Sequence, residues 1–209
     1  MRAIERAGFT PGQEIVISLD IAASEFYRDG RYHLARDGRA LDSDAMAAML
    51  AHWIDRYPIR SIEDPLAEQD GEGLRRFTAA VGDHVRVVGD DFLVTRRERI
   101  LAAAAAGACN AVLIKPNQVG TVSEALAALE AAREVGWGAI VSARSGETED
   151  VTIAHLAVGW GAGQLKVGSF ARSERMAKWN EVLRIEAALA GGARFAGGSP
   201  LTSRPHARN

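Results

Sequence analysis

Short apolar segments, most of them closed by a charged residue, recur along this chain at helix-length intervals. Ile15-Val16-Ile17-Ser18-Leu19 ends in Asp20, Ile59-Arg60-Ser61-Ile62 in Glu63, and Val85-Arg86-Val87-Val88-Gly89 in Asp90. Ala111-Val112-Leu113-Ile114 ends in Lys115, and Gln164-Leu165 meets Lys166. One segment breaks the pattern: Ala139-Ile140-Val141-Ser142 ends in Ala143. Apolar runs of this length, separated by helical stretches, read as buried parallel strands of an α/β fold. In such folds the carboxyl ends of the strands lie on one face, where sites are built. Three carboxylates and two lysines are therefore expected to converge on one pocket. Carboxylates bind a hard metal ion, and a lysine beside that cation can lose its proton and act as a base.

The helices between the strands carry their own signals. Ser43 begins a helix that runs to about Tyr57, where Pro58 stops it. A second helix follows Asp70. Thr95 with Glu98, and Thr121 with Glu124, have the spacing of capping boxes. Further helices are expected over Val151 to Val158 and Arg172 to Leu189, and Arg2, Glu5 and Arg6 read as part of another. Asp29-Gly30 sits between Glu25-Phe26-Tyr27 and Arg31-Tyr32-His33-Leu34, a strong signal for a two-residue hairpin turn. Strand–helix alternation repeated about six times argues for a parallel sheet. The stretch from Gly191 to Asn209 is rich in Gly, Ser, Pro and Arg. It is expected to be poorly ordered or docked as an irregular strap.

Bulk properties exclude several classes of partner. At 209 residues, 47% of them hydrophobic, the chain can bury the core of one domain. A net charge of −2 without a basic stripe argues against nucleic acid. No apolar run approaches the roughly 20 residues of a membrane span, and no secretory signal opens the chain. The lone Cys109 has no internal disulfide partner, which fits a reducing, cytoplasmic setting. It reads as a small core residue.

Each polar group has an ordinary reading beside the functional one. Taken singly, an aspartate after a strand is more often a helix cap or a turn residue. Three acids at matching strand ends, Asp20, Glu63 and Asp90, shift the balance toward a metal site. Asp64 and Asp91 directly follow Glu63 and Asp90. Side chains alternate along extended chain, so one carboxylate of each pair can face the pocket while the other holds a backbone amide. Oxygen-only ligands point to Mg²⁺, with Mn²⁺ second. A strand-end lysine commonly snorkels to solvent. Lys115, however, leads into a tight polar loop, Pro116-Asn117-Gln118-Val119-Gly120, with no obvious exit. Lys166 lies inside a strand-like stretch; taken alone each lysine is open between the two readings, and two lysines with three acids favour function. The polar run from Ser142 to Asp150 is either a solvated loop or an anion site, with Arg144 giving bidentate donors and Ser145-Gly146 backbone amides. His33, His52, His84, His155 and His206 lie at no metal-ligand spacing and read as structural or surface residues. No Gly-rich dinucleotide or P-loop fingerprint and no nucleophile elbow is present.

Together these motifs resemble enolase, the phosphopyruvate hydratase family. The matching strings include LDIAASEFY, YPIRSIEDPLAEQD, VVGDDFLVT, LIKPNQVGTVSEALAA, VSARSGETEDVTIAHLAVG, GQLKVGSFARSERMAKWNEVLRIEAAL and ARFAGG, in family order from about Ala7 to Gly198. The resemblance implies a (β/α) barrel domain over residues 1–190, incomplete at about six βα units, followed by a tail over 191–209. It implies that Asp20, Glu63 and Asp90 bind Mg²⁺ and that Lys115 is the base removing the C2 proton of 2-phosphoglycerate. Lys166 would contact the substrate carboxylate, and Arg144 with Ser145 the phosphate.

Departures accompany the match. The family carries a histidine where this chain has Ala143 and an aspartate where it has His155. The glutamates that help the leaving hydroxyl depart, and the mobile serine loop, match no residue here. A chain truncated at its N-terminus is expected, with impaired lyase activity and either self-association or a complementing enolase fragment as partner. The alternatives are a non-catalytic Mg²⁺- and anion-binding protein and a gene remnant.

Overall fold

The computed structural model describes residues 1–201. His206 and the last residues of the expected tail lie outside the described residues. The chain divides into two compact units, the first built from Met1–Phe92 with Ala102–Asn110 and the second from Leu93–Leu101 with Ala111–Pro200.

The first unit opens with helix α1 (Arg2–Arg6) and strand β1 (Ile17–Asp20). A 3₁₀ turn over Ala23–Phe26 leads into β2 (Tyr27–Arg28), β3 (Arg31–Leu34) and β4 (Arg39–Leu41), a small antiparallel sheet. The expected hairpin forms with shorter arms, because Glu25 and Phe26 belong to the 3₁₀ turn. Asp29 (φ 51°) and Gly30 (φ 74°) both take positive φ, as a tight primed turn requires. Helix α2 (Ser43–Arg56) follows, capped by the Asp42 carboxylate, which accepts from the Ala45 amide at 2.9 Å. Its buried face is Met46, Leu50 and Ile54, at helical spacing. Then come β5 (Ile59–Glu63), α3 (Gly71–Val81) and β6 (Arg86–Gly89). Of helix α4 (Arg97–Ala106), the last half, from Ala102, belongs to this unit. β5 pairs in parallel with β1 on one side and β6 on the other. β6 is buried along its whole length, as parallel strands covered on both faces are.

The second unit repeats the theme. It contains β7 (Ala111–Ile114), the short helix α5 (Pro116–Val119) and α6 (Val122–Glu134). These are followed by β8 (Gly138–Ser142), α7 (Thr152–Gly159), β9 (Leu165–Lys166) and α8 (Ser173–Leu189). β8 lies between β7 and β9, parallel to both. The polar loop expected after Lys115 is instead a single helical turn, started by Pro116, whose missing amide donor costs nothing at a helix's first position. The described part of the tail, Gly191–Leu201, is entered through a 3₁₀ turn over Ala190–Gly192 and ends in another over Ser199–Leu201.

Each of the six parallel strands is followed by a helix, so the fold is α/β. The described residues carry six of the eight βα units of a (β/α) barrel. Among them no helix is long and apolar enough to cross a membrane.

Candidate functional site

Strand register decides which acids become neighbours in the first unit. Asp20 and Glu63 close β1 and β5 and are register partners, Asp20 opposite Glu63. Glu63 in turn faces Val88, two residues before Asp90. The three acids read from the sequence thus stand at the carboxyl ends of three adjacent parallel strands. They differ in burial: Glu63 is 4% exposed and Asp90 8%, whereas Asp20 is open to solvent.

Asp64 does what its place behind Glu63 suggests. Its Oδ1 accepts from the Asp90 amide and its Oδ2 from the Asp91 amide, both at 2.9 Å. The carboxylate therefore fixes the turn that presents Asp90, and it does so from a strained backbone with φ 39°. One oxygen each of Asp64, Asp90 and Asp91 fall within 4.8 Å of one another. That tight group shares only Asp90 with the set Asp20, Glu63, Asp90. Burial pushes the Asp64 carboxyl up to about 6, the two amides pull it back in part, and the charges of Asp90 and Asp91 add to the rise. Crowded carboxylates of this kind repel each other, and a divalent cation would relieve that repulsion. The all-oxygen donor set fits a hard cation such as Mg²⁺.

The loop leaving Glu63 is pinned from below. The buried Tyr32 hydroxyl donates to Asp70 Oδ2 at 2.8 Å and accepts from the Ala67 amide at 3.0 Å. Burial holds that hydroxyl's pKa well above its usual range. Asp70 Oδ1 accepts from the Gly73 amide at 3.0 Å, capping α3. Ser24 Oγ accepts from the Glu68 amide at 3.0 Å.

In the second unit Lys115 follows β7 and Lys166 ends β9. Ser142 of β8 is the register partner of Lys166, and the Ala143 amide donates to the Lys166 carbonyl at 2.9 Å. Ala143 is buried at 7% exposure and offers a methyl group where its neighbouring strands end in amines. The Lys115 backbone is held by Thr95, whose Oγ1 accepts from the Lys115 amide at 3.0 Å. The same hydroxyl lies 2.9 Å from Gln118 Oε1 and 3.3 Å from the Leu113 carbonyl. The capping box expected of Thr95 and Glu98 does not form. Thr95 has φ 56° and spends its hydroxyl on the β7 end instead. Nothing in local spacing distinguishes that use from a cap.

Arg144 and Ser145 lie on an exposed loop after β8. The Arg144 amide donates to Glu147 Oε1 at 2.8 Å, and the Ser145 carbonyl accepts from Arg175 Nη2 at 3.0 Å. Glu147 is paired with Lys178, Nζ to Oε2 at 2.9 Å. Sequence reading passed over Arg175 and Lys178. Their signal is two cations three residues apart on a helix that also carries buried packing, a spacing shared by many solvated helix faces. His155 is a surface residue of α7, with Nε2 3.0 Å from Glu181 Oε1. Cys109 is 3% exposed, a core residue as expected, and burial raises its thiol pKa far above the ordinary value.

Parallel strands, each followed by a helix and all but β8 closed by an acid or an amine, define an incomplete (β/α) barrel domain. The family model for the enolase C-terminal TIM barrel domain matches residues 1–203, and the chain belongs to that family.

Proposed function

We propose that this protein is an enolase in the narrow sense, a phosphopyruvate hydratase that converts 2-phospho-D-glycerate to phosphoenolpyruvate and water. The observation that carries this reading is the line of acids Asp20, Glu63 and Asp90 on three adjacent strand ends; Lys115, directly after β7, and Lys166, at the end of β9, are the amines the reading calls for.

A proton on carbon next to a carboxylate is a very weak acid, and its removal leaves a dianionic ene-diolate. Concentrated positive charge is what makes that state accessible. Asp20, Glu63 and Asp90 would hold Mg²⁺, with Asp64 fixing the Asp90 turn; the bound ion would supply charge stabilisation for the carboxylate oxygens. Lys115 would accept the C2 proton, its backbone held in place by Thr95. Lys166 would pair with the substrate carboxylate and so favour the charge that builds there. Arg144 and the Ser145 amide would bind the phosphate. The electron pair left by the C2 proton would then form the C2–C3 double bond as the C3–O bond breaks, the departing hydroxide taking a proton from solvent water and leaving as water.

Turnover should be slow. The Ala143 side chain, a methyl group, can neither hydrogen-bond nor carry a proton at the end of β8. One positioned acid–base group is typically worth ~10²–10⁴-fold. Ala143 also favours a second reading, in which the protein binds Mg²⁺ and a phosphorylated carboxylate without turning it over. The appearance of phosphoenolpyruvate absorbance with Mg²⁺, compared with Lys115→Ala, separates the two. Signal lost in Lys115→Ala supports the hydratase, whereas equal background in both supports the binding protein. We also propose that the chain works with a partner, a second copy or a complementing enolase chain.

A further inference from the structure

Helix α8 sends two cations into the interior of the second unit. Arg175 is 7% exposed and Lys178 wholly buried. Burying a cation is costly unless it is fully partnered, and both find partners in the loop after β8, Arg175 also after β9 and Lys178 also at the Glu174 carbonyl of its own helix. Arg175 Nη1 donates to the Val167 carbonyl at 2.7 Å, the residue directly after Lys166. Its Nη2 donates to the Ser145 carbonyl at 3.0 Å. One guanidinium thus ties the end of β9 to the loop after β8. Lys178 Nζ pairs with Glu147 Oε2 at 2.9 Å and donates to the Thr148 carbonyl at 2.8 Å. The other Glu147 oxygen accepts from the Arg144 amide at 2.8 Å. Gly168 makes room for this brace. It has φ 126°, and a Cβ there would sit 3.3 Å from Arg175 Cδ.

We propose that Arg175, backed by the Lys178–Glu147 pair, is a positioning residue that sets the anion-binding loop Arg144–Ser145 against the strand end carrying Lys166. This rests on the anion role given to those residues above. Every contact of the brace is to backbone or to Glu147, so Arg144's guanidinium and the Ser145 amide are left for the ligand. A fork donating to two carbonyls at fixed spacing sets their separation in a way a single ammonium cannot. Binding then requires less ordering of the loop.

The test uses the full chain with Mn²⁺, inorganic phosphate as probe, and Arg175→Met and Arg175→Lys. Calorimetry should show phosphate affinity falling by about tenfold or more in Arg175→Met, the worth of a charge-assisted contact. Arg175→Lys should recover part of that loss. Mn²⁺ affinity, read in the same samples, should stay within about twofold, because its ligands lie in the other unit. In an Arg144→Ala background Arg175→Met should cost little more, since coupled residues are not additive. Equal losses in both backgrounds, or unchanged phosphate binding in a folded Arg175→Met protein, overturn the proposal. Should Arg175→Met fail to fold, Gly168→Ala displaces the guanidinium instead and is held to the same expectations. A wild-type protein that binds Mn²⁺ but no phosphate overturns the anion reading, and the positioning role with it. Amide exchange over 144–150 then shows whether the brace survives as a fold contact alone.

Discussion

At the scale of single residues, burial decides which ionisable groups matter. Asp64 is a carboxylate whose acidity has been weakened by burial, to about 6 against an ordinary value of 3.8. An acid with a raised folded pKa binds its proton more tightly when folded. Its charge therefore imposes no penalty below about pH 4, a growing one between there and pH 6, and the full one above. Two pKa units correspond to on the order of 2–3 kcal/mol. In metal-free buffer, urea midpoints of the wild type should fall relative to Asp64→Asn as pH rises from 4 to 7, and added Mg²⁺ should close the gap. A difference that does not change with pH would remove the charge from the account. Cys109 tests burial differently. The thiolate is the reactive species, and burial disfavours it. Iodoacetamide should leave the folded protein unlabelled and modify it readily in urea; labelling of the folded protein at the denatured rate would show that the site opens.

At the scale of elements, the parallel strands are legible because each is a short apolar run, all but β8 stopped by a charge, and β6 and β7 are buried along their whole length. Asp20, Glu63, Lys115 and Lys166 could be placed at strand ends for the same reason. Less legible was what depends on contacts far apart in sequence. Thr95 and Thr121 look alike, each three residues before a glutamate. Thr121 caps α6, accepting from the Glu124 amide at 3.1 Å and donating to its carboxylate at 2.8 Å. Thr95 reaches across 20 residues to Lys115. β4 gives no signal in the sequence, because Arg39–Leu41 is too short to show alternation. Arg175 and Lys178 give none either, because burial of a cation leaves no trace in local pattern. The two threonines should separate by experiment. Thr121→Ala should cost about 1 kcal/mol, the usual worth of a cap. Thr95→Val takes the acceptor from the half-buried Lys115 amide and should cost about 1–3 kcal/mol, with Thr95→Ser recovering most of it. Urea titrations of the three variants decide this, and equal costs for Thr121→Ala and Thr95→Val would mean that the Lys115 anchor adds nothing.

At the scale of the whole molecule, the question is what finishes the strands that have a neighbour on one side only. Among the described residues β1 is paired with β5 alone, and β9 with β8 alone. Unpaired strand edges offer rows of backbone donors and acceptors to any second chain. β1 is also the least buried strand of the parallel set in its unit, with no fully buried residue. Beside it lies a cleft of about 250 Å³ lined by Met1, Ile17, Leu19, Trp53, Tyr57 and Ile59, almost wholly apolar. Covering apolar surface is worth roughly 25 cal/mol per Å², so a few hundred square ångströms would return several kcal/mol. That is a sizeable part of a typical domain's stability. The purified chain should therefore self-associate at micromolar concentration in light scattering. Leu19→Lys, which places a charge in the cleft on the edge strand, should shift the distribution toward monomer while leaving the Mn²⁺ affinity in place. A monodisperse wild-type monomer with one cooperative unfolding transition would show that the β1 edge needs no second copy.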